Sequence, residues 1–214
     1  MKLIRPYYRI LSYIRRDWVL GGIELAGRTC YKSEKMITGQ SAAGFVRMLL
    51  RNGHESVLEH EKITVKFVCD RGVSHELVRH RLASFSQEST RYCNYSSNKF
   101  GGDVTFIIPP FFKDDETEER SENEIIWKNA MYHAERSYIQ LIKCGWTPQQ
   151  ARSVLPNSLK TEIVVTANIR EWRLILKQRT DFKTHPQMRE LMCPLLDELT
   201  RRLPELFDDI TYKR

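Results

Sequence analysis

Apolar and polar positions alternate most clearly in "EKITVKFVC", residues 61–69, with Ile63, Val65 and Phe67 on one face and Thr64 and Lys66 on the other. That period of two predicts a half-buried strand. "TFIIP" from 105 and "TEIVVTAN" over 161–168 predict two more. A helical period holds elsewhere. Trp127, Ala130, Met131, Ala134, Tyr138 and Leu141 recur at spacings of three and four, so 122–143 predicts a long amphipathic helix, and Ser121 and Glu124 have the spacing of a capping box. Residues 17–28, 39–52, 72–82, 170–179 and 186–203 predict further helices. Pro186 suits the first turn of the last of these, and Pro194 is expected to kink or split it. Few strands among many helices predict the α+β class: a single domain, 1–214, with a mixed or antiparallel sheet flanked by several helices.

Composition narrows the class. A chain of 214 residues, 41% of them hydrophobic, can bury one sizeable core. No apolar run approaches the roughly 20 residues that span a bilayer. Charges and Pro6 interrupt "MKLIRPYYRILSYIRRDW", so no signal-peptide core forms and a cytoplasmic protein is expected, without membrane contact. The acidic stretch "KDDETEERSENE", 113–124, is expected to be a solvated loop leading into a helix. Cys30, Cys69, Cys93, Cys144 and Cys193 lie far apart with no CxxC pair, which predicts buried free thiols and no zinc site. Neither a GxGxxG turn after a strand nor a P-loop occurs, so the fold is expected to be non-Rossmann.

A net charge of +7 favours anionic partners, and "RHRLASFSQESTRY", 79–92, concentrates it. On a helix, Glu76 shares a face with Arg79 and His80. Arg81 and Arg91 remain in excess after Glu76 is matched. Guanidinium forks suit phosphate oxygens, the Ser89 hydroxyl adds a neutral donor, and Phe85 and Tyr92 offer flat faces to a ring. No metal is expected. "HELVRH" has Arg79 where a zinc HExxH needs its second histidine, and "HESVLEH" has no zinc spacing. One reading is a nucleic-acid-binding domain with 72–82 as a basic recognition helix. No helix-turn-helix, RRM or zinc-finger pattern supports it, so nucleic acid is not expected as a partner.

"RHR" followed by seven residues and Ser89, with "STRY" beyond, resembles the signature of the flavin-dependent thymidylate synthases. "NGHESVLEH", "SHELVRHR", "ARSVLP", "TANIREW" and "LKQRTDFKTHPQMRE" extend the resemblance over most of the chain. It implies reductive methylation of dUMP to dTMP, with 5,10-methylenetetrahydrofolate as carbon donor and NADPH as reductant through bound FAD. It also implies a homotetramer with shared active sites. By position, FAD falls to Ser56, Arg79, His80, Arg81, Gln87, Asn168, Ile169, Arg170 and His185. The nucleotide falls to Glu76, Leu77, Val78, Arg79, Gln87, Glu88, Ser89, Thr90, Arg91, Arg152 and Arg179, with Arg91 and Arg152 as phosphate clamps. His54 matches a histidine close to the flavin. Arg179 matches the residue facing the uracil ring, where a fixed cation would stabilise negative charge as N3 loses its proton. Leu174 stands at an often polar position, so no FAD contact is carried to it. Ser89 has no evident base and Cys193-Pro194 reverses a Pro-Cys order, so neither is expected as a nucleophile. A further reading keeps FAD but makes the protein a flavin reductase without specificity for dUMP.

Overall fold

The structure, a computed structural model, describes residues 1–97, 102–112 and 121–213. Six strands and eight α-helices are present among them. Strands β1 (Lys2–Ile4) and β5 (Thr105–Ile107) form a parallel pair in which Leu3 lies beside Phe106. Strands β2 (Tyr7–Ile10), β3 (Lys62–Asp70), β4 (Ala83–Gln87) and β6 (Lys160–Asn168) form an antiparallel sheet in the order β2-β3-β6-β4. The class is α+β, as the pattern of few strands among helices predicts.

The alternation in β3 and β6 is the sheet's pleat. Ile63, Val65 and Phe67 are fully buried with half-buried Thr64 and Lys66 between them, and Ile163 and Val165 are fully buried with half-buried Val164 between them. On the other face, the hydroxyls of Thr64 and Thr166 lie 2.9 Å apart. β3 departs from a half-buried strand at its end, where Phe67 to Asp70 are all buried.

Contacts gather the chain into two compact units. The first comprises Met1–Tyr7, Phe67–Leu77 and Ser86–Ile163. It holds α3 (Arg71–Leu77), α4 (Glu122–Lys143) and α5 (Pro148–Ala151), the last running into a 3-10 turn over Arg152–Val154. Ser121 caps α4 by accepting the Glu124 N–H. Met131 and Tyr138 enter a core with Tyr95, Val104, Phe106, Ala151 and Leu159, and Trp127, Ala134 and Leu141 pack against it. Ala130, placed on that face by its spacing, is exposed, while Glu135 is buried where it accepts the Val104 N–H at 3.0 Å. Residues 113–120 of the acidic stretch lie outside the described residues.

The second unit comprises Tyr8–Lys66, Val78–Phe85 and Val164–Arg214. It holds α1 (Arg16–Thr29), α2 (Ser41–Arg51), α6 (Ile169–Arg179), α7 (Pro186–Arg202) and α8 (Pro204–Phe207). α1 and α2 pack so closely that a Cβ on Gly27 would meet the Phe45 ring at 2.7 Å. Trp172 is fully buried and its indole N–H donates to Ile63 O at 2.9 Å. α7 runs through Pro194 without a break, where a split was one of the outcomes expected. Leu191, Met192, Leu195 and Leu196, buried on both sides of the proline, hold the helix against the core while one backbone bond is missing. No described helix is long and apolar enough to cross a membrane.

Two sequence expectations need correction. The helix expected over 72–82 ends at Leu77, and β4 follows it. The half-buried, exposed alternation of Ala83, Ser84, Phe85, Ser86 and Gln87 is a strand signal that the neighbouring cations mask. The cysteines are free, but only Cys69 is fully buried, and Cys30 and Cys144 are exposed.

Candidate active site

The basic triplet lies beyond α3, so Glu76, Arg79 and His80 do not share a helical face. His80 turns inward and is 6% exposed. Arg179, at the end of α6, donates its Nε–H to His80 Nε2 at 3.0 Å. An acceptor Nε2 puts the neutral imidazole's proton on Nδ1, which faces Glu171 Oε1 at 3.6 Å. That distance is a polar contact, too long for a hydrogen bond. Burial, and then the Arg179 cation, lower the His80 pKa to about 4, so it is neutral at pH 7. Burial raises the Glu171 pKa. Of the three basic residues, only Arg79 and Arg81 are therefore charged at neutral pH. Both are exposed, and neither makes a side-chain hydrogen bond or ion pair among the described residues.

A cleft of about 360 Å³ in the second unit brings together His54, Ser56 and Arg170 above Leu49 and Val57. His54 is set by the end of α2: Gly53 takes φ +71°, and the His54 N–H donates to Leu49 O at 2.9 Å. Arg170 is held by Glu59 at 2.6 Å and Glu55 at 3.6 Å. Asn168 caps α6, its Oδ1 accepting the Glu171 N–H at 2.8 Å. Ile169 is fully buried and its N–H donates to Glu61 O. His185 caps α7, with Nδ1 accepting the Gln187 N–H at 3.3 Å. Asn168 and His185 therefore have structural work at helix starts, whatever else they hold. The apolar floor and polar rim of this cleft fit one half of a dinucleotide. Arg79 and Arg81 are not among the described residues that line this cleft.

The first unit carries a larger cleft, about 560 Å³, lined by Arg71, His75, Thr90, Gln149 and Arg152 among others. Arg152 donates to the hydroxyl of Thr90, 6% exposed, at 3.0 Å. Arg91 donates to Gln149 at 3.0 Å and lies over the Tyr92 ring, at the cleft's margin and not on its wall. The Ser89 hydroxyl accepts the Arg91 N–H at 3.4 Å. Gln87 donates to Ser74 and Thr161 hydroxyls, which leaves its carbonyl oxygen for a ligand. Both Glu88 carboxylate oxygens are occupied, one by the Tyr95 hydroxyl and one by Lys160, each at 2.8 Å. Leu77 is buried, Glu76 half-buried and Val78 exposed. Sequence reasoning missed Arg71, His75, Gln149 and Glu171. The first two lie in "DRGVSHE", just ahead of the triplet, and no spacing singles them out. Among the described residues no cluster of His, Cys, Asp and Glu could hold a metal ion.

The profile of the family described as Thymidylate synthase complementing protein matches residues 20–205. The flavin-dependent thymidylate synthase of Pyrococcus abyssi (strain GE5 / Orsay) is 36% identical over 155 residues, 72% of this chain and 61% of that protein. The protein of the same name from Mycobacterium bovis (strain BCG / Pasteur 1173P2) is 31% identical over 200 residues, 87% of this chain and 78% of that one. The match thus spans about three fifths of the Pyrococcus relative's length and nearly four fifths of the Mycobacterium one's. Among solved structures, the UMP/dUMP methylase PolB from Streptomyces cacaoi bound with 5-Br dUMP is similar at a TM-score of 0.76, covering 97% of this chain and 96% of that one. Its sequence identity is 23%, so this likeness shows the fold.

Proposed function

Because this chain belongs to the flavin-dependent thymidylate synthase family, we propose that it methylates dUMP reductively to dTMP, with FAD as cofactor, 5,10-methylenetetrahydrofolate as carbon donor and NADPH as reductant. FAD, when bound, supplies the hydride chemistry that no side chain offers. Arg79 and Arg81 meet its phosphates, with Ser56, His54, Arg170, Asn168, Ile169 and His185 along its length. On the nucleotide, Arg152, Thr90, Ser89 and Arg91 take the phosphate, while Glu76, Leu77, Val78, Gln87 and Glu88 line its path. Arg179 faces the uracil ring and stabilises negative charge as the N3 proton leaves, which makes C5 a better nucleophile.

The Arg179–His80 hydrogen bond carries this reading. It links the residue assigned to the pyrimidine with the segment assigned to the flavin. A cationic His80 would repel Arg179; the neutral imidazole accepts from it. The recognition-helix alternative loses its basis, because the cations lie beyond the helix.

The chain is proposed to act as one domain, 1–214, since each unit draws on three separated segments and neither is a contiguous piece. It is further proposed to work in the cytoplasm as a homotetramer with shared sites. The decisive experiment is tritium release from 5-tritiated dUMP by the FAD-loaded protein. Release that requires both NADPH and methylenetetrahydrofolate is expected, because C5–H must break. No release with every substrate present would overturn the proposal.

A further inference from the structure

Helix α6 carries two ionisable side chains that meet the same histidine. Glu171 stands in its first turn and Arg179 in its last, about 12 Å apart along the axis. Asn168 caps the helix by accepting the Glu171 N–H, yet the Glu171 side chain turns inward and is buried. A carboxyl group is costly to bury unless a donor meets it. The group it faces is Nδ1 of His80, at 3.6 Å, on a ring that is itself buried. On the other side of that ring, Nε2 accepts from Arg179 at 3.0 Å.

The two ring nitrogens constrain each other. A neutral imidazole carries one proton, so Nε2 accepts from Arg179 only while Nδ1 holds it. A buried Nδ1–H without an acceptor is unfavourable. The other tautomer would set an Nε2–H against the Arg179 Nε–H, donor against donor. The Glu171 oxygen relieves this conflict: it favours the Nδ1–H form, and that form holds Arg179. Packing by itself gives no reason for a carboxyl group here, because an apolar side chain of similar volume fills the space without the desolvation cost.

We infer that Glu171 is a positioning residue that fixes the tautomer of His80 and, through it, the aim of the Arg179 guanidinium. The inference rests on the proposed reaction and deepens it, since Arg179 is the residue assigned to the uracil ring.

The test compares FAD-loaded wild type with Glu171→Leu, which removes the acceptor, and Glu171→Gln, which keeps a carbonyl oxygen. Turnover at saturating dUMP is expected to fall about 10- to 100-fold in Glu171→Leu, as for a misaimed catalytic group, with the KM for dUMP changed less and FAD per subunit close to wild type. Glu171→Gln should recover most of the loss. In an Arg179→Ala background, Glu171→Leu should cost no more than about threefold, because a residue that acts through Arg179 then has nothing to aim. Nitrogen-15 spectra of histidine-labelled protein, with the His80 signals assigned from His80→Gln, should show Nδ1–H in wild type and a shift toward Nε2–H in Glu171→Leu. Full turnover in Glu171→Leu, an undiminished loss in the Arg179→Ala background, loss of FAD in step with turnover, or an unshifted tautomer overturns the inference. Glu171→Met replaces the leucine variant if that one does not fold. If neither folds, Glu171 belongs to the fold and the inference falls. Wild type that forms no thymidylate overturns the proposed reaction instead, and the tautomer shift then decides the inference, which stands with it and falls without it.

Discussion

Arg179 and His80 constrain each other through one hydrogen bond, and each yields a measurable consequence. Arg179→Ala removes the cation assigned to the uracil ring. Thymidylate formation should fall about 10²- to 10³-fold, as for loss of a preorganised charge stabiliser. FAD content per subunit, read from flavin absorbance, should stay close to wild type. Equal turnover in the variant would remove the role. His80 predicts a pH dependence of stability. Its folded pKa, about 4, lies below the ordinary 6.5, so between those values the unfolded chain takes up a proton that the folded one refuses. Stability therefore falls as pH drops from 6.5 to 4, by up to about 3 kcal/mol. His80→Gln should flatten the melting temperature over that window relative to wild type, and parallel curves would reject the assignment.

Helix α6 links fold and site more directly than any other segment. It starts at the Asn168 cap, buries Trp172 and Arg173 in the second unit, and ends at Arg179. Asn168→Ala should lower stability by about 1 kcal/mol in urea unfolding, while Asn168→Asp, an equal cap, should hold it. The pair also separates two routes to the cofactor. If the aspartate variant keeps its stability but loses FAD, the amide itself touches the flavin. If it keeps both, Asn168 acts through the helix. Ile169 beside it is a site residue by position, yet its buried side chain belongs to the core.

The proposed homotetramer has a candidate surface on α1, where Trp18 is 64% exposed and Leu25, seven residues on, is 53% exposed. Residues at that spacing share a helix face. Tyr13, 83% exposed, lies just ahead of it. Exposed large apolar side chains grouped in this way mark association surfaces. Sedimentation of wild type is expected to give a tetramer. The double variant Trp18→Glu, Leu25→Glu should sediment as a smaller species with an unchanged circular dichroism spectrum and, with shared sites, little activity. A monomeric wild type at micromolar concentration would reject the surface and the shared site together.

Periodicity was enough to identify β3 and β6, the long helix α4 and the α+β class, because burial on one face leaves a repeat of two or about 3.6 in the chain. The order of motifs around "RHR" was enough to name the family, because ligand chemistry restricts residue type at fixed positions. The end of α3, the strand β4 and the inward turn of His80 were not legible there. His80 is buried against Arg179, 99 residues away in the chain, and no local pattern encodes a contact that distant. The same holds for Arg71, an ordinary surface cation on paper. Folding buries one of its nitrogens without an acceptor among the described residues, and the residue lines a cleft, because packing, and not spacing, decides which donors remain unmatched.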